Sequence, residues 1–288
     1  MITYQEFKEV FIDRLGEYFP QDGIKREVVV SKRYKVNEKL DAVYVLTENQ
    51  NTGSAYVPVL YLEDIYKVYY SGTNLDMILK YVAEVLLDYE PPKELTFAAE
   101  KIQNWEKEVT VELISREKNE ELLKTAVYTP FLDLAVIYRI SSDAEQEDIC
   151  HSFVITKTML EIWDISLSDL HEAAVRNTEE REEVIIHETV PGKNEANIHM
   201  LSFRSRRNGA SAILLKTVLQ KACELFHGNY YILPASIHEV FLVKEREGQV
   251  ASWRDCVRSA NETLVAADEF LSDSLYRYNA ATGGVEIA

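Results

Sequence analysis

Residues Asn229–Val243 read NYYILPASIHEVFLV, two apolar runs of strand-forming residues joined across Pro234, Ala235 and Ser236. Proline has no amide hydrogen and sits poorly in a central strand, so the first run is expected to end there and the second to turn back as a hairpin. Strands joined by short turns pair antiparallel, whereas strands that alternate singly with helices build parallel sheets. The stretch therefore points to an α+β fold rather than a doubly wound nucleotide-binding one.

The same pairing recurs nearby. EVIIHE and IHMLSF precede the hairpin, and LDLAVIYRI and HSFVIT flank the acidic loop SSDAEQED, while REVVVSKRY and LDAVYVL are strand-like runs near the N-terminus. AYVPVLYL reads as a further strand beyond a polar turn at residues 48–54. Helical spacing marks the segments between. Thr3-Tyr4-Gln5-Glu6 is a capping box ahead of Phe7, Val10, Phe11, Leu15 and Tyr18. A second helix is expected over 74–89, others near 95–106, 120–126, 158–165 and 167–175, and the last two over 211–226 and 253–271. The fold class that follows is α+β, with mixed or antiparallel sheets, packed helices and two lobes. Pro91 and Pro92 stop a helix and mark the expected boundary, giving an N-terminal domain over 1–92 and a C-terminal one over 93–288 that may subdivide near 180. The tail, ATGGVEIA, is expected to be loose.

Composition narrows the function classes. At 288 residues, with 47% hydrophobic and 27% charged residues, the chain can bury a sizeable core. No apolar run approaches the roughly 20 residues that cross a bilayer, and the basic start of a leader is missing, which gives an expectation of a cytoplasmic protein. Cys150, Cys223 and Cys256 are scattered and show neither a disulfide framework nor zinc spacing. The net charge of −17 repels phosphate backbones and anionic lipid, so no direct nucleic-acid or membrane binding is expected. Much of that charge falls between Asp143 and Glu188, where thirteen acids face only Lys157, Arg176 and Arg181. If those acids shared one face, Glu179, Glu180, Glu182 and Glu183 would suit a basic protein partner.

Chemistry-bearing residues are few. Neither G-x-G-x-x-G nor the P-loop pattern occurs, and His171-Glu172, His187-Glu188 and His238-Glu239 lack a second histidine four residues on. No cofactor and no metal is expected. Asn208-Gly209-Ala210-Ser211-Ala212 has part of a nucleophile elbow, but Asn-Gly is also a turn signal and Ser211 a natural N-cap. Ser236 and His238 could share a strand face, while Glu239 points to the opposite one and cannot orient the imidazole as a triad acid would. Two readings stand: a hydrogen-bonded turn, or a Ser-His pair completed by a distant acid. Arg204 and Arg206, if both on the strand, would share a face that grips an anion. The tyrosines Tyr56, Tyr61, Tyr66, Tyr69 and Tyr70 read as packing, with an aromatic groove as the other possibility.

The stretches FLDLAVIYR (131–139), VRNT (175–178), GAS (209–211), YYILPASIHEVFLV and LSDSLYRYN (271–279) together resemble a domain-of-unknown-function family, DUF5688, of Gram-positive gut anaerobes, sometimes encoded on mobile elements. The likeness spans nearly the whole chain and implies no reaction, so no catalytic residue follows from it. The resulting expectation is a non-catalytic protein that binds a macromolecular partner, in regulation or in countering host defence. The alternative is a small hydrolase using Ser236 and His238, or Ser211.

Overall fold

A computed structural model describes residues 2–48, 58–88, 105–142, 151–189 and 198–288. The chain divides into two compact units, Met1–Glu100 and Lys101–Ala288. Pro91 and Pro92, the polar turn at 49–54, Tyr56, Cys150 and the acids of the loop at 143–150 lie outside the described residues. Every strand pairing among the described residues is antiparallel, in three sheets, and the fold is α+β.

In the N-terminal unit α1 (Tyr4–Leu15) starts at the capping box, with the Glu6 amide donating to Thr3 Oγ1 and the Thr3 amide to Glu6 Oε2. The hairpin of β1 (Arg26–Lys35) and β2 (Glu38–Thr47) turns at Asn37, which takes a left-handed φ of 59°. Of the strand expected over 55–62, the first three residues lie outside the described ones; among the described residues β3 (Leu60–Tyr61) pairs, and at Leu62 the chain enters α2 (Leu62–Tyr70). The helical period of Leu62, Ile65, Tyr66 and Tyr69 wins over β propensity, because these side chains bury against Phe7 and Phe11. With α3 (Leu75–Asp88) they close the core, and Tyr66 and Tyr69 are packing residues within it.

The C-terminal unit holds two sheets. The first runs β4 (Val109–Ser115), β6 (Leu134–Ser142), β5 (Tyr128–Phe131), with β7 (His151–Val154) continuing along β6 beyond β5. α4 (Trp105–Glu108) leads into β4, α5 (Glu120–Thr125) lies between β4 and β5, and α6 (Lys157–Trp163) and α7 (Leu167–Arg181) follow β7. The second sheet has the order β13-β12-β10-β11-β9-β8, from β8 (Val184–Glu188), β9 (Ile198–Phe203), β10 (Tyr230–Ser236), β11 (Glu239–Lys244), β12 (Tyr276–Asn279) and β13 (Gly284–Ile287).

The β10–β11 hairpin forms, with one difference from the expectation: β10 continues through Pro234, opposite Val240, and its register shifts between Pro234 and Ser236. Proline is tolerated because β12 pairs only with Tyr230–Ile232, so the outer side of β10 at Pro234 has no ladder bond to lose. The tail, expected to be loose, forms β13 and is held by Arg277 to Glu286 at 2.6 Å. On one face of this sheet Trp253 and Val257 of α9 (Val250–Thr263) pack on Tyr231, Leu233, Val243 and Leu275. α9 starts at Val250 rather than Trp253 and ends at Thr263 rather than near 271; Cys256 is exposed and Leu264, beyond its end, is 83% exposed. On the other face Tyr230 stacks on Tyr278 and meets Phe226 of α8 (Lys216–Phe226).

Candidate functional site

Three places gather polar side chains in the C-terminal unit. The first is the turn between β10 and β11. Ser236 is buried and its Oγ accepts the His238 amide at 3.0 Å. His238 sits in the turn itself, not on a strand face, and its Nδ1 accepts the Asn208 amide at 3.1 Å. That bond leaves the proton of a neutral ring on Nε2, which is 3.8 Å from Glu269 Oε1, beyond a hydrogen bond. The His238 carbonyl accepts from Ser202 Oγ at 2.8 Å, and the Ile237 amide donates to the Glu269 carbonyl at 2.8 Å. Gly209 fits because it has no side chain: a Cβ there would lie 2.3 Å from the His238 carbonyl oxygen and 2.6 Å from the Phe203 nitrogen.

The second place is the outer edge of β4, where unpaired backbone groups would invite another strand. The side chains of three residues close it. The Val111 amide donates to Thr178 Oγ1 at 3.0 Å, the Leu113 amide to Ser211 Oγ at 3.0 Å, and Asn177 Nδ2 donates to the Val109 carbonyl at 2.8 Å. Residues 109, 111 and 113 alternate, so these are the groups that point away from β6. Ser211 is fully buried and does not cap α8; a 3₁₀ helix over Gly209–Leu214 intervenes, and α8 starts at Lys216. The VRNT and GAS stretches thus supply the groups that seal one sheet edge.

Arg204 and Arg206 are not on a strand. β9 ends at Phe203, and Arg206 takes a left-handed φ of 55°, so Arg204 and Arg206 do not share a strand face. Arg204 grips Glu183 through two bonds of 2.5 Å, and the Arg204 guanidinium holds the Glu183 carboxyl below the usual range. Glu182 accepts from Ser205 Oγ at 2.8 Å and Glu179 from Thr217, while Glu180 is exposed at the end of α7. The four acids therefore do not form one unbroken bare face: three of them are engaged within the chain.

The third place is one that sequence reasoning missed. Asp133, in the turn between β5 and β6, accepts from Ser272 Oγ at 2.7 Å, Ser274 Oγ at 3.0 Å and the Tyr276 hydroxyl at 2.7 Å. Burial raises the Tyr276 phenol well above its ordinary pKa, keeping it a donor. The carboxylate forms part of the wall of a cleft of about 380 Å³, lined also by Ser115, Arg116, Glu117, Glu120, Phe270 and Asp273. A signal was present, because Ser272, Ser274 and Tyr276 recur at a spacing of two, which in an extended segment would put three hydroxyls on one side. What no local pattern shows is the acid they meet, more than a hundred residues earlier in the chain.

The N-terminal unit has its own charged cluster. Buried Asp41 meets Lys32 Nζ at 2.6 Å, Lys8 Nζ at 2.8 Å and the Tyr4 hydroxyl at 2.9 Å. Burial pushes its carboxyl up, but the two ammonium groups and the phenol outweigh this and hold it at about 2. Among the described residues no group of histidines, cysteines and acids is placed to hold a metal ion, and no helix is long and apolar enough to cross a membrane.

A family model described as a family of unknown function (DUF5688) matches residues 4–280, and the chain belongs to that family. No curated protein and no solved structure matches it.

Proposed function

We propose that this member of the DUF5688 family is a non-catalytic cytoplasmic protein that binds a macromolecular partner of basic character. The observation that carries the reading is how the hydrolase candidates are used. Ser236, Ser211 and His238 each accept a backbone amide, from His238, Leu113 and Asn208. A nucleophile must be free to attack and its base must reach it, and these three are committed to holding a turn and a sheet edge. The net charge of −17 supplies long-range attraction for a basic partner.

Two measurements test this. With an activated ester and a peptide substrate, Ser236→Ala and His238→Ala should leave any background rate within about twofold; a fall of about a hundredfold in a folded variant, the scale of a lost general base, would establish the hydrolase instead. Capture of a basic partner from bacterial lysate should be strong at 0.1 M salt and lost at 1 M, as the screening length drops from about 10 Å to about 3 Å. Replacing Glu179, Glu180, Glu182 and Glu183 together by glutamine measures what those four acids contribute. Retention of no basic protein at low salt would end the partner reading.

A further inference from the structure

The cleft at Asp133 is built differently from a surface pair. Its wall carries four carboxylates, Glu117, Glu120, Asp133 and Asp273, against the guanidinium of Arg116 and the Lys118 ammonium beside Phe270. In a protein of net charge −17 this concavity concentrates negative potential, so anions are repelled and organic cations drawn in. The Asp133 carboxylate is fixed before any ligand arrives. Ser272 and Ser274 both donate to its Oδ2 and Tyr276 to its Oδ1, and a carboxylate has about four lone-pair positions, which leaves one on Oδ1 for a further donor. A held acceptor loses no rotamer freedom on binding, the advantage of preorganisation.

The aromatic wall already receives a cation. Lys118 Nζ lies 5.3 Å from the centre of the Phe270 ring, within the range of cation–π attraction. The segment that carries Phe270 is tied down: Asn261 Nδ2 donates to the Ser272 carbonyl at 2.9 Å and to Asp273 Oδ1 at 2.7 Å. At about 380 Å³ the volume is at the small end of ligand pockets, enough for one charged head and a short alkyl stem rather than a nucleotide or a chain of sugars.

We propose that this cleft is a socket for one alkylguanidinium or alkylammonium group, whose N–H donors meet Asp133 and the flanking carboxylates. Where the group is the arginine or lysine side chain of a protein, the socket is the anchor point for the basic partner and rests on the binding reading above. Where it is a free amine, the socket is a small-molecule site that stands without a partner.

Butylguanidinium chloride, titrated into the full chain by calorimetry with butyrate and butanol as controls, separates a cation site from a hydrophobic one. Saturable binding of butylguanidinium alone is expected. The double variant Glu120→Gln, Asp273→Asn should weaken it about tenfold or more, equivalent to about 1.4 kcal/mol, at unchanged circular dichroism and melting temperature. Arg116→Gln should strengthen it, an effect that a merely structural role for the loop would not produce. No saturation by butylguanidinium, equal binding of butyrate, or indifference to both variants overturns the proposal.

Spermidine and the peptide acetyl-Gly-Gly-Arg-Gly-Gly-amide then identify the source. Tighter binding of the peptide assigns the socket to a protein side chain, and tighter binding of spermidine assigns it to a free polyamine. If the double variant loses butylguanidinium but still captures a basic partner, the socket stands as a small-molecule site and the partner uses another surface. If it keeps butylguanidinium, the socket fails whatever becomes of the partner.

Discussion

In the turn at 236–238 and in the cleft around Asp133, the hydrogen bonds of polar side chains end on different things. In the turn they end on backbone: the Ser236 hydroxyl and the His238 imidazole each take up an amide, and the Ser202 hydroxyl takes up a carbonyl. In the cleft Ser272 Oγ likewise accepts the Ser274 amide at 2.8 Å, but its proton goes with two further hydroxyls to one carboxylate beside an open volume. Of the residues that look catalytic in the sequence, Ser236 takes up the amide two residues on and His238 that of Asn208, thirty residues away. Those that build a recess come from segments far apart in the chain. Closeness in sequence favours turns, because short polar side chains reach their own backbone first.

This contrast can be broken by substitution, and the largest effect is expected beneath the turn. Gly209→Ala would drive a Cβ into the His238 carbonyl and the Phe203 amide, which are backbone atoms that cannot swing aside. Denaturant unfolding should show a loss of about 3 kcal/mol or more; a loss under 1 kcal/mol would mean that the turn is not seated on the 3₁₀ helix as described.

Asp133→Ala comes next. It strands the buried Tyr276 and Ser272 hydroxyls, and about 2 to 3 kcal/mol should be lost, with Asp133→Asn milder because its carbonyl oxygen still accepts. Equal costs for the two would show that the charge, not the acceptor geometry, holds the segment.

Ser211→Ala is expected to cost about 1 to 2 kcal/mol by leaving the Leu113 amide buried without an acceptor. Thr178→Val tests the same edge at Val111, and Thr178→Ser should restore most of its loss, as melting temperatures would report. The smallest effect is assigned to His238→Ala. The ring is about one-third exposed, so water can replace it at the Asn208 amide, and about 1 kcal/mol is expected with no change in any hydrolytic rate.

How far the sequence could be read differs by element. The α1 capping box, the strands β1 and β2, the β10–β11 hairpin and the α3 helix are written in short-range pattern, and the structure has each of them within a few residues. Reading failed where a neighbour decided. AYVPVLYL has strand composition, yet Leu62 onward is helix because Phe7 and Phe11 offer a face at helical spacing. The tail has two glycines and little apolar content, yet it becomes β13 because β12 presents a free ladder and Arg277 a partner for Glu286. Ser211 resembles a helix cap in its local sequence, but its role is set by Leu113, ninety-eight residues away.

The sequence by itself determined the class of this protein: an acidic α+β chain whose short turns require antiparallel pairing, and whose motif stretches mark its family. Those properties follow from periodicity, turn chemistry and net charge, which act between residues close in the chain or depend on composition alone. Tertiary structure decided which polar groups are spent and which remain available. The Ser211 hydroxyl is held by an amide ninety-eight residues away, and only the folded chain brings Asp133 to Ser272, Ser274 and Tyr276 and leaves a charged recess beside them.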